Sequence, residues 1–512
     1  MRSVGFIGLA LASAGAAETA SQHPAAACCK TLSYSIPYIY HSPVSPEYNS
    51  LIKARWSNTA ILHPGCVITP RSAQDVSKAL KILAKQHCQF AVKAGGHSAT
   101  PGFNSIDGGV SIDLTELKST YMAPDRSSVT LGSGVTWGLA YDTFNDSNIG
   151  FTGGVCEDVG VGGVSIGGGQ SLFQAKLGWA VDNIIDYEVV LASGKIVHAN
   201  QRQHRDLFRA LKGGNTNFGI VTRVQLAAFE LDNLWGGEVF VGLNGPQASR
   251  PEMLDKLSRA IVDFVAKNND DVDTGLQILT AYLSGGKGQT VNSALSNTRG
   301  VENPETVRPF LDMPNRLSNN VRHVKIADFV HELSSFVPKG FRQITASLTI
   351  TNDYKTLREV WEATDAVYDA LPQKDKIDWV VSIIPQPKVQ QSYAKKRGGN
   401  SLGLSHVKED QIVFWFSPRW TDPALDSVME EVRDKFVEVG ERVAKKHGTY
   451  SPFLYINFAS PQQDPLCGYG ADSVAFLKRT ARKYDPKGVF QKLMPGGFKV
   501  SKAHCSRRKH SY

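Results

Sequence analysis

Glycine is spread unevenly along these 512 residues: 17 of the 46 glycines fall in the 75 residues from Gly95 to Gly169. A backbone so poor in side chains either needs positive φ angles or brings main-chain N–H groups close to a ligand, most often an anionic one. A run of hairpin turns uses glycine in the same way. Any fold for this chain has to accommodate that stretch first.

The flanking patterns supply its scaffold. Cys66-Val-Ile-Thr-Pro70 reads as a short strand ended by proline; Ser72 and Asp75 stand at capping-box spacing ahead of Val76, Ala79, Leu80 and Leu83, which recur at helical period. Gln89-Phe-Ala-Val-Lys93 reads as the next strand and runs straight into Gly95-Gly96-His97-Ser98. Short strands are expected at 110–113 and 129–131, a helix near 136–148, and after the main glycine block three more strands at 183–191, 195–198 and 218–224. Beyond residue 231 glycine thins and longer elements appear, among them a strand at 343–351 and an amphipathic helix at 426–445. A chain of this length holds two or three domains, and this change of texture marks the start of the second.

Two nucleotide fingerprints are absent: there is no G-x-G-x-x-G and no G-x-x-x-x-G-K-[ST]. A dinucleotide, if bound, sits on another scaffold. The loop from Lys93 to Ser98 offers successive N–H donors suited to a pyrophosphate and puts His97 beside it; by chemistry alone His97 reads equally as a hydrogen-bonded structural residue. In the second block, Gly153-Gly-Val-Cys156-Glu-Asp-Val-Gly-Val-Gly-Gly163, the lone cysteine is either a small buried hydrophobe or a ligand-facing thiol.

Composition narrows the class. With 42% hydrophobic and 20% charged residues the chain is neither disordered nor a multispanning membrane protein. Five positive charges of the net +8 lie in a C-terminal stretch without an acid, Lys499, Lys502, Arg507, Arg508 and Lys509, so the body is nearly balanced and no nucleic-acid partner is expected. Residues 1–16 read as a secretory leader cleaved near Ala16, and no later run approaches the ~18 apolar residues of a membrane span. The mature protein is thus expected outside the cell or in a vacuolar compartment, as a monomer. Seven cysteines leave one unpaired; no zinc spacing occurs, so no metal is expected, and Asn145-Asp146-Ser147 is a glycosylation sequon.

Taken in order, Gly95-Gly96-His97-Ser98, Ile106-Asp-Gly-Gly-Val-Ser-Ile-Asp-Leu114, the Cys156 block, Val181-Asp-Asn183, Phe218-Gly-Ile-Val-Thr222 and Tyr455-Ile-Asn457 resemble the berberine-bridge-enzyme-like family of FAD-linked oxidoreductases, which share the vanillyl-alcohol-oxidase-type fold. The end of the chain, from Gln463-Asp-Pro-Leu466 to Gly496-Gly-Phe-Lys499, resembles its fungal branch. The resemblance covers roughly residues 58–230 and 450–499. It implies an α+β chain with a two-subdomain FAD-binding domain (58–230), a substrate domain with an antiparallel sheet backed by helices (231–449), and a C-terminal segment (450–499) returning to the FAD domain. An N-terminal segment (17–57) precedes them and a basic tail (500–512) follows.

The same resemblance assigns roles. It implies that His97 is bonded to the flavin 8α-methyl and Cys156 to flavin C6, which would explain the odd thiol. Lys93, Gly95, Gly96 and Ser98 then serve the pyrophosphate, Gly154, Val159, Gly160, Gly162 and Gly163 the isoalloxazine, and Ile220 and Val221 the adenine end. Valine at position 159, just before the Gly-x-Gly-Gly run, goes with oxidase behaviour in the family, and reoxidation by O2 to hydrogen peroxide follows. Tyr455 is either the base or an anchor of the returning segment, with Asn457 beside it; Phe458 stands where many members have a second tyrosine, and the acidic base of plant and sugar-oxidising members is absent. Asn400 and His406 are expected near the substrate. Of the six cysteines other than Cys156, Cys66 and Cys88 flank one predicted helix and are expected to pair. The expected activity is oxidation of an alcohol, or oxidative cyclisation, in a secondary-metabolite pathway. The alternatives are a carbohydrate oxidase, a redox-silent flavin-scaffold cyclase and a cofactor-free binding protein.

Overall fold

The computed structural model describes residues 24–286 and 288–505; the expected leader and Arg507, Arg508 and Lys509 of the tail lie outside the described residues. Helices and sheets mix in an α+β architecture around three large hydrophobic cores and one small one among the described residues. The first sheet has four strands in the order Tyr40–His41, Cys66–Ile68, Val110–Asp113, Phe90–Lys93, the last three mutually parallel. The helix Ala73–Gln86 connects two of the parallel strands, with Ser72 capping it by accepting the Asp75 N–H. Its apolar stripe, Val76, Ala79, Leu80 and Leu83, is fully buried in a core shared with Phe90, Val110 and Ile112.

The second sheet is built on the long strand Ile220–Glu230, flanked by Ser128–Gly132 and Ile184–Val190 in antiparallel register, with Ile149–Phe151 pairing its far end. Its core takes in Trp137, Trp179, Tyr187 and Phe208, and also Leu477 and Ala481 of the C-terminal helix Ala471–Tyr484, so residues distant in sequence close one body. The third sheet is antiparallel and nine-stranded, with Leu234–Gly242, Gly288–Asn297, Thr274–Leu283, Trp379–Gln386, Gln411–Phe416 and Ala346–Thr351 in spatial order at its centre. The helices Arg250–Lys267, Tyr354–Asp369 and Asp426–His447 cover one face. Strand periodicity decides what the other face presents. Leu276, Ile278 and Tyr282 point to the helices, as do Trp379, Val381 and Ile383, while the intervening Gln277, Leu279, Val380, Ser382 and Ile384 point the opposite way, toward the glycine loops.

The second glycine block runs into a short helix, Val161–Gly167. Glycine is a poor helix former, and here burial of Val161 and Val164 in the second core overrides that preference. The expected Cys66–Cys88 bridge is not formed. Cys66 pairs with Cys29 and Cys88 with Cys28, while Cys467 pairs with Cys505. The reason is the N-terminal helix Pro24–Ser35: it packs across the first sheet and places its two adjacent cysteines against both partners, in the same core. Cys156 is the free cysteine among the described residues.

Candidate active site

Between the glycine loops and the open face of the nine-stranded sheet lies a cavity of about 380 Å³. One wall is backbone. Lys93 ends a strand of the first sheet, and the chain turns at Gly96 with φ +76° so that Gly95 packs against Gly160 of the second glycine block. A Cβ on Gly95 would sit 2.4 Å from the Gly160 nitrogen, and one on Gly160 would sit 2.4 Å from the Gly95 nitrogen, so only glycine fits at both places. A Cβ on Gly163, by contrast, would meet nothing within 4 Å, and this glycine borders the cavity.

The structure brings Gly95, Gly96, His97, Ser98, Gly154, Cys156, Val159, Gly160, Gly162, Gly163, Ile220, Val221, Tyr455 and Asn457 to the cavity wall. The His97 ring stacks on Trp56 at 4.4 Å and 10°, and its Nε2 lies 3.9 Å from the Cys156 sulfur. Burial holds the imidazole down to about pH 4, and burial pushes the Cys156 thiol up. Tyr455 is part of the wall and almost fully buried; its hydroxyl oxygen accepts the Gly169 N–H at 3.0 Å and an Asn457 Nδ2–H at 3.1 Å. Burial dominates these two donors and pushes the phenol up to about 12.

Three residues named from sequence lie elsewhere. Lys93 is buried below the loop, its Nζ 2.8 Å from Asp113, an ion pair that braces the turn without reaching the cavity. Asn400 donates to Asp182 at 2.8 Å, inside the body of the protein. Burial pushes Asp182 up to about 6, and a desolvated carboxylate captures the nearest amide. His406 is exposed, outside the wall. Asn145 follows the helix Trp137–Phe144, half-buried with its amide oxygen turned inward.

The sequence did not point to Trp56, Trp415, Phe336 or Arg419, all of which line the cavity. Trp415 stacks on Phe458 at 4.6 Å and stands 6.0 Å from Trp56, so that His97, Trp56, Trp415, Phe458 and Tyr455 form a continuous aromatic row. Trp56 lies just ahead of the first recognised residues, and Gln411-Ile-Val-Phe-Trp-Phe416 is apolar on both faces, so period alone could not say which side chains face a ligand. Among the described lining residues there is no Asp, Glu or Lys. Arg419 is neutralised: its Nε donates to Asp378 at 2.6 Å and its Nη1 to the Phe336 carbonyl at 3.2 Å.

A family model described as an FAD binding domain matches residues 64–200. An FAD-dependent monooxygenase of Emericella nidulans is 32% identical over 483 residues, covering 93% of this chain and 98% of the relative; one of Aspergillus calidoustus is 32% identical over 470, covering 90% and 88%. The chain belongs to the berberine-bridge-enzyme-like family of FAD-linked oxidoreductases, in its fungal branch. Among solved structures, a glucooligosaccharide oxidase of Acremonium strictum matches at a TM-score of 0.75 and 18% identity, over 94% of this chain and 99% of that one, and 6-hydroxy-D-nicotine oxidase of Arthrobacter nicotinovorans matches at 0.73 and 19%, over 88% and 96%. These likenesses give the vanillyl-alcohol-oxidase-type fold. The flavin of that glucooligosaccharide oxidase is described as 6-S-cysteinyl, 8α-N1-histidyl FAD. In this family member the residues fit the cofactor: a side-chain-free wall at Gly163 and a largely apolar cavity suit the flat isoalloxazine ring, and the paired glycine loops suit a pyrophosphate.

Proposed function

We propose that this protein is a secreted or vacuole-routed oxidase that holds FAD through both His97 and Cys156. It oxidises an alcohol, or closes a ring oxidatively, in a small lipophilic secondary metabolite while O2 is reduced to hydrogen peroxide. The observation that carries this reading is the pairing of an imidazole and a free thiol 3.9 Å apart on one cavity wall. Flavin C6 and the 8α-methyl sit on the same benzenoid edge, so a ring placed there meets both nucleophiles.

Gly95, Gly96 and Ser98 would hold the pyrophosphate, the 154–163 backbone the flavin, and Ile220 and Val221 the adenine end. Bound there, FAD supplies a two-electron acceptor. The chain's own contribution is to orient the substrate and move its proton. Among the described residues the wall carries no carboxylate, and the phenolate form of Tyr455 would accept the proton of a substrate O–H. Its two donors, Gly169 N–H and Asn457 Nδ2–H, stabilise the phenolate over the phenol. Val159 borders the cavity between Cys156 and Gly160, where access of O2 would be set.

On the sheet face Leu279, Val380 and Ile384 alternate with Gln277 and Ser382, and the lining is more apolar than polar, which favours a lipophilic substrate over a sugar, whose hydroxyls need a denser array of polar partners. Peroxide release is the test: lipophilic alcohols should yield it, and oligosaccharides should not. Several relatives bear the name monooxygenase, so a second reading is insertion of oxygen into product. Turnover under isotopically labelled O2 separates the two, with label recovered in peroxide and none in product for the oxidase.

A further inference from the structure

The helix Ile326–Ser334 stands in the stretch assigned by sequence to the substrate domain, yet Phe329 and Val330 are buried in the core of the second sheet. Its C-terminal turn reaches the loop that carries Cys156. Three side chains meet that loop. The Glu157 N–H donates to Ser334 Oγ at 2.7 Å, His331 Nδ1 contacts the Glu157 carboxylate, and Lys339 Nζ, just beyond the helix, pairs with Asp158. The other imidazole nitrogen of His331 lies 2.8 Å from Asp142, so the ring bridges the loop to the helix Trp137–Phe144.

We propose that Ser334, His331 and Lys339 are positioning residues that hold the Cys156 sulfur and favour its thiolate for bond formation with flavin C6. The proposal rests on the bicovalent reading above. Burial opposes ionisation of this thiol, and the acids on either side of the next peptide bond, Glu157 and Asp158, oppose it further. His331 and Lys339 are the counter-charges to those two carboxylates. Ser334 acts on the turn itself: its hydroxyl accepts the N–H of Glu157, the residue next to Cys156, at 2.7 Å and so fixes the peptide that carries the sulfur, and a hydrogen bond from it would favour the ionised form. At rest that hydroxyl donates to the Val330 carbonyl at 2.7 Å while accepting from Glu157, and its one proton can turn to the sulfur once the thiol proton has left. In the linkage step the S–H and C6–H bonds break and the S–C6 bond forms. Two protons and two electrons are released, and dioxygen takes them up as hydrogen peroxide.

The test uses the full chain made under riboflavin limitation and then given FAD, following flavin mass on the Cys156 and His97 peptides over time. Wild type should label both. Ser334→Ala should slow labelling of the Cys156 peptide roughly tenfold, the loss of one hydrogen bond to a charged group, with the His97 peptide labelled at the wild-type rate; Ser334→Thr should restore it. His331→Gln and Lys339→Gln should slow it less, and Lys339, half-exposed, can be replaced without unfolding the chain should Ser334→Ala prove insoluble. Wild-type rates at Cys156 in Ser334→Ala, or in Lys339→Gln where that variant stands in for it, would overturn the proposal, as would equal slowing at both peptides. Absence of the Cys156 label from wild type would instead overturn the bicovalent reading on which it stands.

Discussion

The two walls of the cavity are built on opposite principles. The glycine wall is shaped by main chain: Gly95 and Gly160 touch through backbone atoms, and nothing but hydrogen fits between them. The sheet wall is shaped by side chains, with every second residue of Thr274–Leu283 and Trp379–Gln386 sent to the helices and the alternate ones to the cavity. A wall of the first kind can be broken by one methyl group at Gly95 or Gly160. A wall of the second kind can exchange side chains without disturbing the fold beneath it, which suits it to setting substrate choice.

Breaking the backbone wall should have the largest effect. Gly95→Ala forces a Cβ to within 2.4 Å of the Gly160 nitrogen, an overpacking cost of about 3 kcal/mol, and should abolish flavin incorporation as read by visible absorbance of the purified protein. Next comes the group between the walls. Tyr455→Phe should lower kcat by roughly 10²–10⁴-fold with little change in KM, the range for a lost proton acceptor. Because burial raises this phenol to about 12, the ionised base is scarce near neutrality and grows with pH. In wild type kcat/KM should therefore climb from pH 6 to 9, and the slope should vanish in Tyr455→Phe. On the sheet wall the effect should be smaller and of another kind. Trp415→Ala removes the ring between Trp56 and Phe458 and should raise KM for lipophilic substrates about tenfold, with flavin content unchanged. Least affected by position is Asn400→Ala: it leaves Asp182 short of a donor and should lower unfolding free energy by about 1–3 kcal/mol while KM stays constant. A KM change there would return Asn400 to the substrate shell.

The same contrast explains what could be read in advance. The capping of Ala73–Gln86 by Ser72, the strand Val110–Asp113 and the helix Asp426–His447 follow from local period and cap chemistry, and the structure has them where those signals stand. Glycine marks a backbone wall in one dimension, so His97 and Cys156 were legible beside it. Pairings set by tertiary packing were not. Cys66 and Cys88 are close in sequence but are reached first by Cys29 and Cys28 of a helix whose docking nothing local announces. Asn400 sits in a recognisable motif, but its amide answers to a buried carboxylate more than two hundred residues away. Trp415 lies in a strand apolar on both faces, where the alternation that would assign its side is missing.

The central claim is that one wall holds two covalent tethers, and it is tested by denaturing the purified protein in acid, separating any released flavin and mapping flavin mass onto peptides. The account predicts a flavin joined to the peptides of both His97 and Cys156, with none released. Flavin freed entirely into the supernatant, or carried by neither peptide, would contradict it.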